Sequence, residues 1–265
     1  MDDPLTDEQL ATFERTGHVR VPAAFSPDAA LRLQERMWDE LREDFGIDRD
    51  ARRTWWQPLQ SLRRAKRDPL QQEVSSDRLL GAIGRLLGAV RWRAPSNWGV
   101  VLVTFPGRGS ADWSLPSNGW HFDFELHRNA DSLGWLFVFT FFSRVEERGG
   151  GTLIVEGSHR LLRQFHADLS PAERQRPHRE LRKRFLRFDP WIESLTGTKP
   201  GPEDRIAYFM RETRDVRGVP VRVVELTGEP GDAILCHPLM LHAAAPNRRE
   251  SPRFMRSQRI CEDPA

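Results

Sequence analysis

Cysteine is scarce in this chain: Cys236 and Cys261 are the only two in 265 residues. A disulfide framework is thereby excluded, and a reducing compartment is the simplest reading. Long apolar runs are missing as well. The longest, LGWLFVFTFF at 133–142, is too short to span a bilayer and rich in β-forming aromatics, so it reads as a buried strand. Net charge is also small. Lys and Arg number 40 against 38 Asp and Glu, leaving +2, so a sequence pI of about 8.8 makes no case for nucleic-acid binding unless the basic residues cluster. The first residues, MDDPLTDEQL, are acidic and polar, unlike a signal or transit peptide, and the terminal EDPA carries no peroxisomal tripeptide. These absences predict a soluble, cytoplasmic chain, monomer or homodimer, with neither a nucleic acid nor a membrane as partner.

What is present falls into blocks. LTDEQLATFERT opens with a capping signature, Thr6 with Gln9 three residues on, and Gly17 stops that helix before a short strand in HVRVPAAF. Ser26-Pro27-Asp28 opens a longer amphipathic helix to about Phe45, residues 47–75 lack clear periodicity, and a helical pattern returns near 76–88. From residue 89 the period becomes strand-like: WGVVLVTFP, the 133–143 run, and TLIVE after a glycine turn. Residues 160–215 are basic and partly helical, then strands resume to RFMRSQRI. Helices, strands, a helical insertion and strands again argue for a mainly β sandwich or barrel with helical covering, not a doubly wound fold. One domain is predicted, with 1–88 as helical cover, 89–159 and 216–260 as the β core, and 160–215 as an insertion and candidate lid.

Two segments carry chemistry. In GWHFDFELHR (119–128), an extended backbone puts His121 and Asp123 on one face and Phe122 on the other, so an imidazole nitrogen and a carboxylate oxygen can share a cation. Alone, such a pair is more often a surface feature or turn. In GDAILCHPLMLHAAAPNRRESPR (231–253), a Gly-Asp turn is expected to open a strand containing both His237 and His242. A His-x-Asp pair plus a distant His makes the two-His, one-carboxylate set of non-haem Fe(II) oxygenases, with zinc at an open site as the main competitor. If 2-oxoglutarate is the cosubstrate, its free carboxylate needs a buried cation, best an arginine. Arg253 lies eleven residues after His242, where an adjacent antiparallel strand would carry it deeper into the barrel. Arg256 and Arg259 stand nearby, while Arg248 and Arg249 fall in the turn and read as solvated.

These segments together resemble the phytanoyl-CoA dioxygenase family of Fe(II)/2-oxoglutarate oxygenases. LTDEQLATFERTGHVRVPAAFSPD is similar to its N-terminal helix and strand, WHFD to its His-x-Asp segment, GGGTLIVEGSH to its glycine turn and strand, and the 231–253 stretch to its distal region, with Asn247 five and Arg253 eleven residues past His242. The resemblance implies a double-stranded β-helix (jelly-roll, cupin-like) core, Fe(II) on His121, Asp123 and His242, and 2-oxoglutarate and O2 as cosubstrates, with Arg253 meeting the keto acid's tail. It sets His237 aside as a ligand, the five-residue offset pointing the two imidazoles to opposite faces of a regular strand. His127 and His159 read as structural or as neighbours of the ligands. Ala244 stands where a hydroxyl residue is frequent in the family, and Thr104 is the candidate replacement for cosubstrate binding. Related halogenases lack the carboxylate, so Asp123 favours hydroxylation of a C–H bond in a small-molecule substrate. Trp98, Trp113, Trp120 and Trp135 could wall the pocket. The basic insertion could receive an anionic substrate, although a solvated helix face with interspersed Glu173 and Glu180 is the favoured account of it. The alternatives are a jelly-roll binding protein without catalysis and a zinc hydrolase using Glu125 as base.

Overall fold

A computed structural model describes residues 3–55, 59–88, 91–107, 112–124, 130 and 133–263. In chain order the elements are α1 (Asp7–Thr16), β1 (His18–Val21), α2 (Pro27–Phe45), β2 (Leu59–Leu62), α3 (Asp77–Leu87), β3 (Val101–Thr104), β4 (Trp135–Phe141) and β5 (Leu153–Glu156). They continue with α4 (Ser158–Ala167), α5 (Pro171–Arg174), α6 (His178–Phe185), α7 (Pro190–Leu195), a π-helical turn (Ala207–Arg211), β6 (Arg214–Val216), β7 (Val219–Glu225), β8 (Ala233–Cys236), β9 (His242–Ala243) and β10 (Arg253–Cys261).

All described strand pairs are antiparallel and form two sheets, β1-β8-β4-β10-β3-β2 and β6-β7-β5-β9. The jelly-roll-like core expected from the sequence is present, although helices hold more of the described residues than strands, 36% against 22%.

Strand β4, inside the large sheet, is buried on both faces, which explains its apolar run. Trp135, Phe137, Phe139 and Phe141 of β4 join the core between the sheets, while Leu136 and Val138 join a second core under the N-terminal helices. Alternation along one strand therefore serves two cores, and no position needs to be polar.

The N-terminal cover begins where its caps predict. Thr6 and Gln9 form the capping box, and Gly17 ends α1 at φ +86°. Gly17 cannot be replaced cheaply: a Cβ there would overlap the sulfur of Met240 and the His159 ring. Its carbonyl accepts from His237 N–H (2.8 Å), tying the helix end to the turn after β8. The strand β2 has no counterpart in the sequence reading, which found no period in 47–75.

The expectation of one strand holding both His237 and His242 is wrong. Strand β8 stops at Cys236 because Pro238 has no N–H for a ladder, and residues 237–241 carry the chain across to β9 in the other sheet. His237 is buried in that turn beside His159 (ring centroids 5.0 Å). Both of its ring nitrogens face N–H groups, Leu239 N (3.1 Å) and Arg163 Nη2 (3.1 Å), so a protonated ring would find no acceptor.

Burial drives the His159 pKa from 6.5 down to about 4 and that of His237 well below 6.5. Both folded values lie below the unfolded one, so the unfolded chain binds more protons and stability falls as pH drops from about 6.5 towards 4. His159 alone accounts for a loss on the order of 3 kcal/mol across that window. Thermal unfolding followed from pH 7 to pH 4 should show this fall, and His159→Asn should flatten it; an unchanged slope would contradict the assignment.

Candidate metal centre

The site is assembled from backbone pairing first. His121 and His242 sit opposite each other in an isolated antiparallel bridge and exchange both backbone hydrogen bonds (2.9 Å each). Directly opposed residues project to the same side, so the two imidazoles meet with ring centroids 4.2 Å apart. Asp123, two residues on from His121, falls beside them. Its carboxylate lies 4.0 Å from His121 Nε2 and 3.8 Å from His242 Nε2. One ligand atom from each of the three can lie within 4.8 Å of the others.

Phe122 points the other way, onto Phe185 (5.4 Å) and the His178 ring (5.3 Å) of α6. The insertion thus packs behind the His-x-Asp segment. Among the described residues it contributes nothing to the cavity wall.

The donor set suits a divalent transition metal. Each imidazole hydrogen-bonds through Nδ1 to the carbonyl two residues earlier, His121 to Gly119 (2.8 Å) and His242 to Met240 (3.0 Å). With Nδ1–H donating, Nε2 keeps its lone pair for a metal. Burial, followed by the nearby His121, lowers the His242 pKa to about 4, which keeps that lone pair unprotonated at neutral pH. Arg259, missed as a participant in the sequence reading, places Nη2 3.1 Å from Asp123 Oδ2 and lies over the faces of Trp135 and Phe137. It engages Oδ2, the carboxylate oxygen nearest His242, while Oδ1 faces His121.

A cavity of about 480 Å³ runs from these three residues to Arg253 and Thr104. Arg253 and Thr104 are direct partners between β10 and β3, so their side chains share the inward face. Arg253 does not approach the triad along an adjacent strand, as expected. Strands β9 and β10 belong to opposite sheets, and Arg253 enters the cavity from across the sandwich.

Only 7% of Arg253 is exposed, its Nε has no partner, and burial lowers its pKa to about 10. Glu225, the acid that acts on it, is held by the N–H groups of Arg148 (2.6 Å) and Gly151 (2.8 Å), and burial raises its own pKa. Asn247 holds the loop in front of β10, donating to the carbonyls of Thr104 (3.0 Å) and Ser251 (2.9 Å) and accepting from Arg249 N (2.9 Å).

Several expectations need correction. None of Trp98, Trp113, Trp120 and Trp135 lines the cavity; its apolar wall comes from Leu102, Phe105, Phe137, Phe139 and Met255. His237 is not part of the triad, because it lies in the crossover turn and not because of strand parity. Arg248 is no solvated turn residue: its Nε and Nη1 are buried, and it lines the cavity. Glu125 and His127 lie outside the described residues. Ala244 is exposed to the cavity and offers no hydroxyl.

The profile of the family described as phytanoyl-CoA dioxygenase (PhyH) matches residues 13–255. The chain belongs to that family. It is therefore an Fe(II)/2-oxoglutarate-dependent oxygenase. Curated proteins include no match to it. The fold of this PhyH-family chain is also that of solved oxygenases. The α-ketoglutarate-dependent carbocyclase SnoK from nogalamycin biosynthesis is similar at TM-score 0.58 and 17% identity, over 97% of this chain and 84% of its own. EctD from S. alaskensis, crystallised with 2-oxoglutarate and 5-hydroxyectoine, gives TM-score 0.55 and 17% identity over 98% and 77%. EvdO2 from Micromonospora carbonacea var. aurantiaca, complexed with 2-oxoglutarate, gives 0.52 and 15% over 98% and 92%. At these identities the likeness is one of fold. Among the described residues no helix is long and apolar enough to cross a membrane.

Proposed function

We propose that this PhyH-family enzyme hydroxylates an unactivated C–H bond of a small molecule, with Fe(II) held by His121, Asp123 and His242. When bound, the iron, 2-oxoglutarate and O2 together supply an oxidant strong enough for such a bond, and 2-oxoglutarate leaves as succinate and CO2. The protein's own contribution is placement. His121 and His242 present Nε2 lone pairs because their Nδ1 atoms are engaged. Asp123 offers one oxygen while Arg259 takes the other. Arg253 pairs with the far carboxylate of 2-oxoglutarate, and Thr104, its partner across the strands, offers a hydroxyl in place of the one missing at Ala244.

The apolar wall keeps water from the reacting centre, so that oxidation meets substrate and not solvent. A carboxylate in the ligand set leaves no vacancy for a halide, which favours hydroxylation over halogenation. The observation that carries the reading is one cavity with a two-His, one-carboxylate cluster and a buried guanidinium that forms no ion pair among the described residues.

The test is anaerobic addition of Fe(II) and then 2-oxoglutarate. Chelation should give a weak visible charge-transfer band, and admission of O2 with a metabolite panel should release succinate above the uncoupled background and yield a product one oxygen heavier. No band and no succinate would end the oxygenase reading. Succinate with an epimerised, cyclised or desaturated product would end the hydroxylation reading alone.

A further inference from the structure

The cavity holds one more cation than the oxygenase reaction uses. Arg248, in the loop between β9 and β10, lines it together with the triad and Arg253. Its Nε and Nη1 are buried and have no hydrogen-bond partner, and it forms no ion pair among the described residues. The backbone directs this side chain. Gly107 N–H donates to Asn247 O (2.8 Å), Arg248 N–H donates to Arg148 O (2.8 Å), and a Cβ at Gly107 would overlap Nη1. Glycine at 107 therefore makes the space in which the guanidinium lies. The neighbouring Arg249 behaves differently: it is exposed, with Nε donating to Glu147 O (2.7 Å).

Three arginines line the cavity, against Asp123 as its one acid among the described residues. Arg256 directs its guanidinium to the other core, onto Gln71 Oε1 (2.6 Å) and over the Phe142 ring (4.8 Å). On the oxygenase reading, the two carboxylates of 2-oxoglutarate are matched by the metal and Arg253, and Asp123 is matched by the metal and Arg259. Arg248 is left without a counter-charge. A guanidinium with buried, unpaired nitrogens is costly unless a ligand supplies the anion.

We propose that Arg248 anchors an anionic group of the primary substrate. The substrate class is then a small carboxylate or phosphorus oxyanion, with an apolar body that fits the Leu102, Phe105, Phe139 and Met255 wall. The inference rests on the oxygenase reading, and its test separates the two.

Protein saturated with Mn(II) and N-oxalylglycine, an unreactive mimic of 2-oxoglutarate, has its metal and Arg253 occupied. Methylphosphonate and, separately, acetate are titrated into it by calorimetry at constant ionic strength. Wild type should bind one equivalent of at least one probe, and whichever binds identifies the anion type. Arg248→Gln should weaken that probe roughly 10- to 100-fold, the range for hydrogen bonds to charged groups, and should leave N-oxalylglycine affinity within about twofold, inside ordinary context variation for a remote change. Arg248→Lys, which keeps the charge, should retain most of the binding and controls for folding.

Equal probe binding by wild type and Arg248→Gln would overturn the proposal. So would weakening of N-oxalylglycine, since Arg248 would then serve the cosubstrate. If wild type binds neither Mn(II) nor N-oxalylglycine, it is the oxygenase reading that fails, and the same titration on metal-free protein still decides whether Arg248 binds anions.

Discussion

A His242→Ala variant is expected to hold no iron after dialysis, to show no charge-transfer band with 2-oxoglutarate and to release no succinate. Removing a partner that only orients a ligand typically lowers metal affinity or activity about 10- to 100-fold, and loss of one of three ligands should exceed that. The fold should survive. Among the described residues the ring of His242 makes one hydrogen bond, from Nδ1 to Met240 O, while the backbone pairing with His121 is independent of the side chain. Metal content by mass spectrometry, read beside the melting temperature, tests both halves of the prediction. A folded variant with stoichiometric iron would remove His242 from the ligand set.

The second large effect concerns Arg253 and has opposite signs for function and stability. Arg253→Met should weaken 2-oxoglutarate about 100-fold, because a charge-assisted contact to a carboxylate is lost from a dry site. The ligand-free protein should meanwhile become more stable. Arg253 is buried with an unsatisfied Nε and, among the described residues, no acid within ion-pair distance, and exchange of such a charge for an apolar side chain of similar length is stabilising by about 1–4 kcal/mol. For a chain of this size that is a rise of roughly 2–10 °C in Tm. Melting curves without 2-oxoglutarate and titration of its charge-transfer band supply the two readouts. A fall in ligand-free Tm would show that the guanidinium is satisfied in solution, and unchanged 2-oxoglutarate affinity would take Arg253 out of the cosubstrate site.

Much of the site was legible because its signals are local. His121 and Asp123 lie two apart, Arg253 starts a strand eleven residues after His242, and the caps at Thr6 and Ser26 mark α1 and α2. The errors share a physical origin in long-range placement. Pro238 ends β8, but nothing in 237–241 announces that the chain changes sheets there. Arg248 and Arg249 are identical in type and adjacent, yet Gly107, far away in sequence, makes a buried place for one and none for the other. Arg259 was indistinguishable from other strand arginines until β10 set it beside Trp135 and Phe137. The tryptophans misled for a related reason. Trp98 has the bulk for a pocket wall, but it faces the helix-covered core with Arg256 above it.

The contact between Gly17 and the crossover turn bears on how the protein can be cut. Helix α1 looks like a detachable appendage, yet Gly17, which caps it, accepts from His237 N–H and packs against Met240, whose carbonyl steers the imidazole of His242. A shortened version beginning after position 17 would leave that turn without its brace, so the amino-terminal segment helps to hold the backbone from which His242 projects.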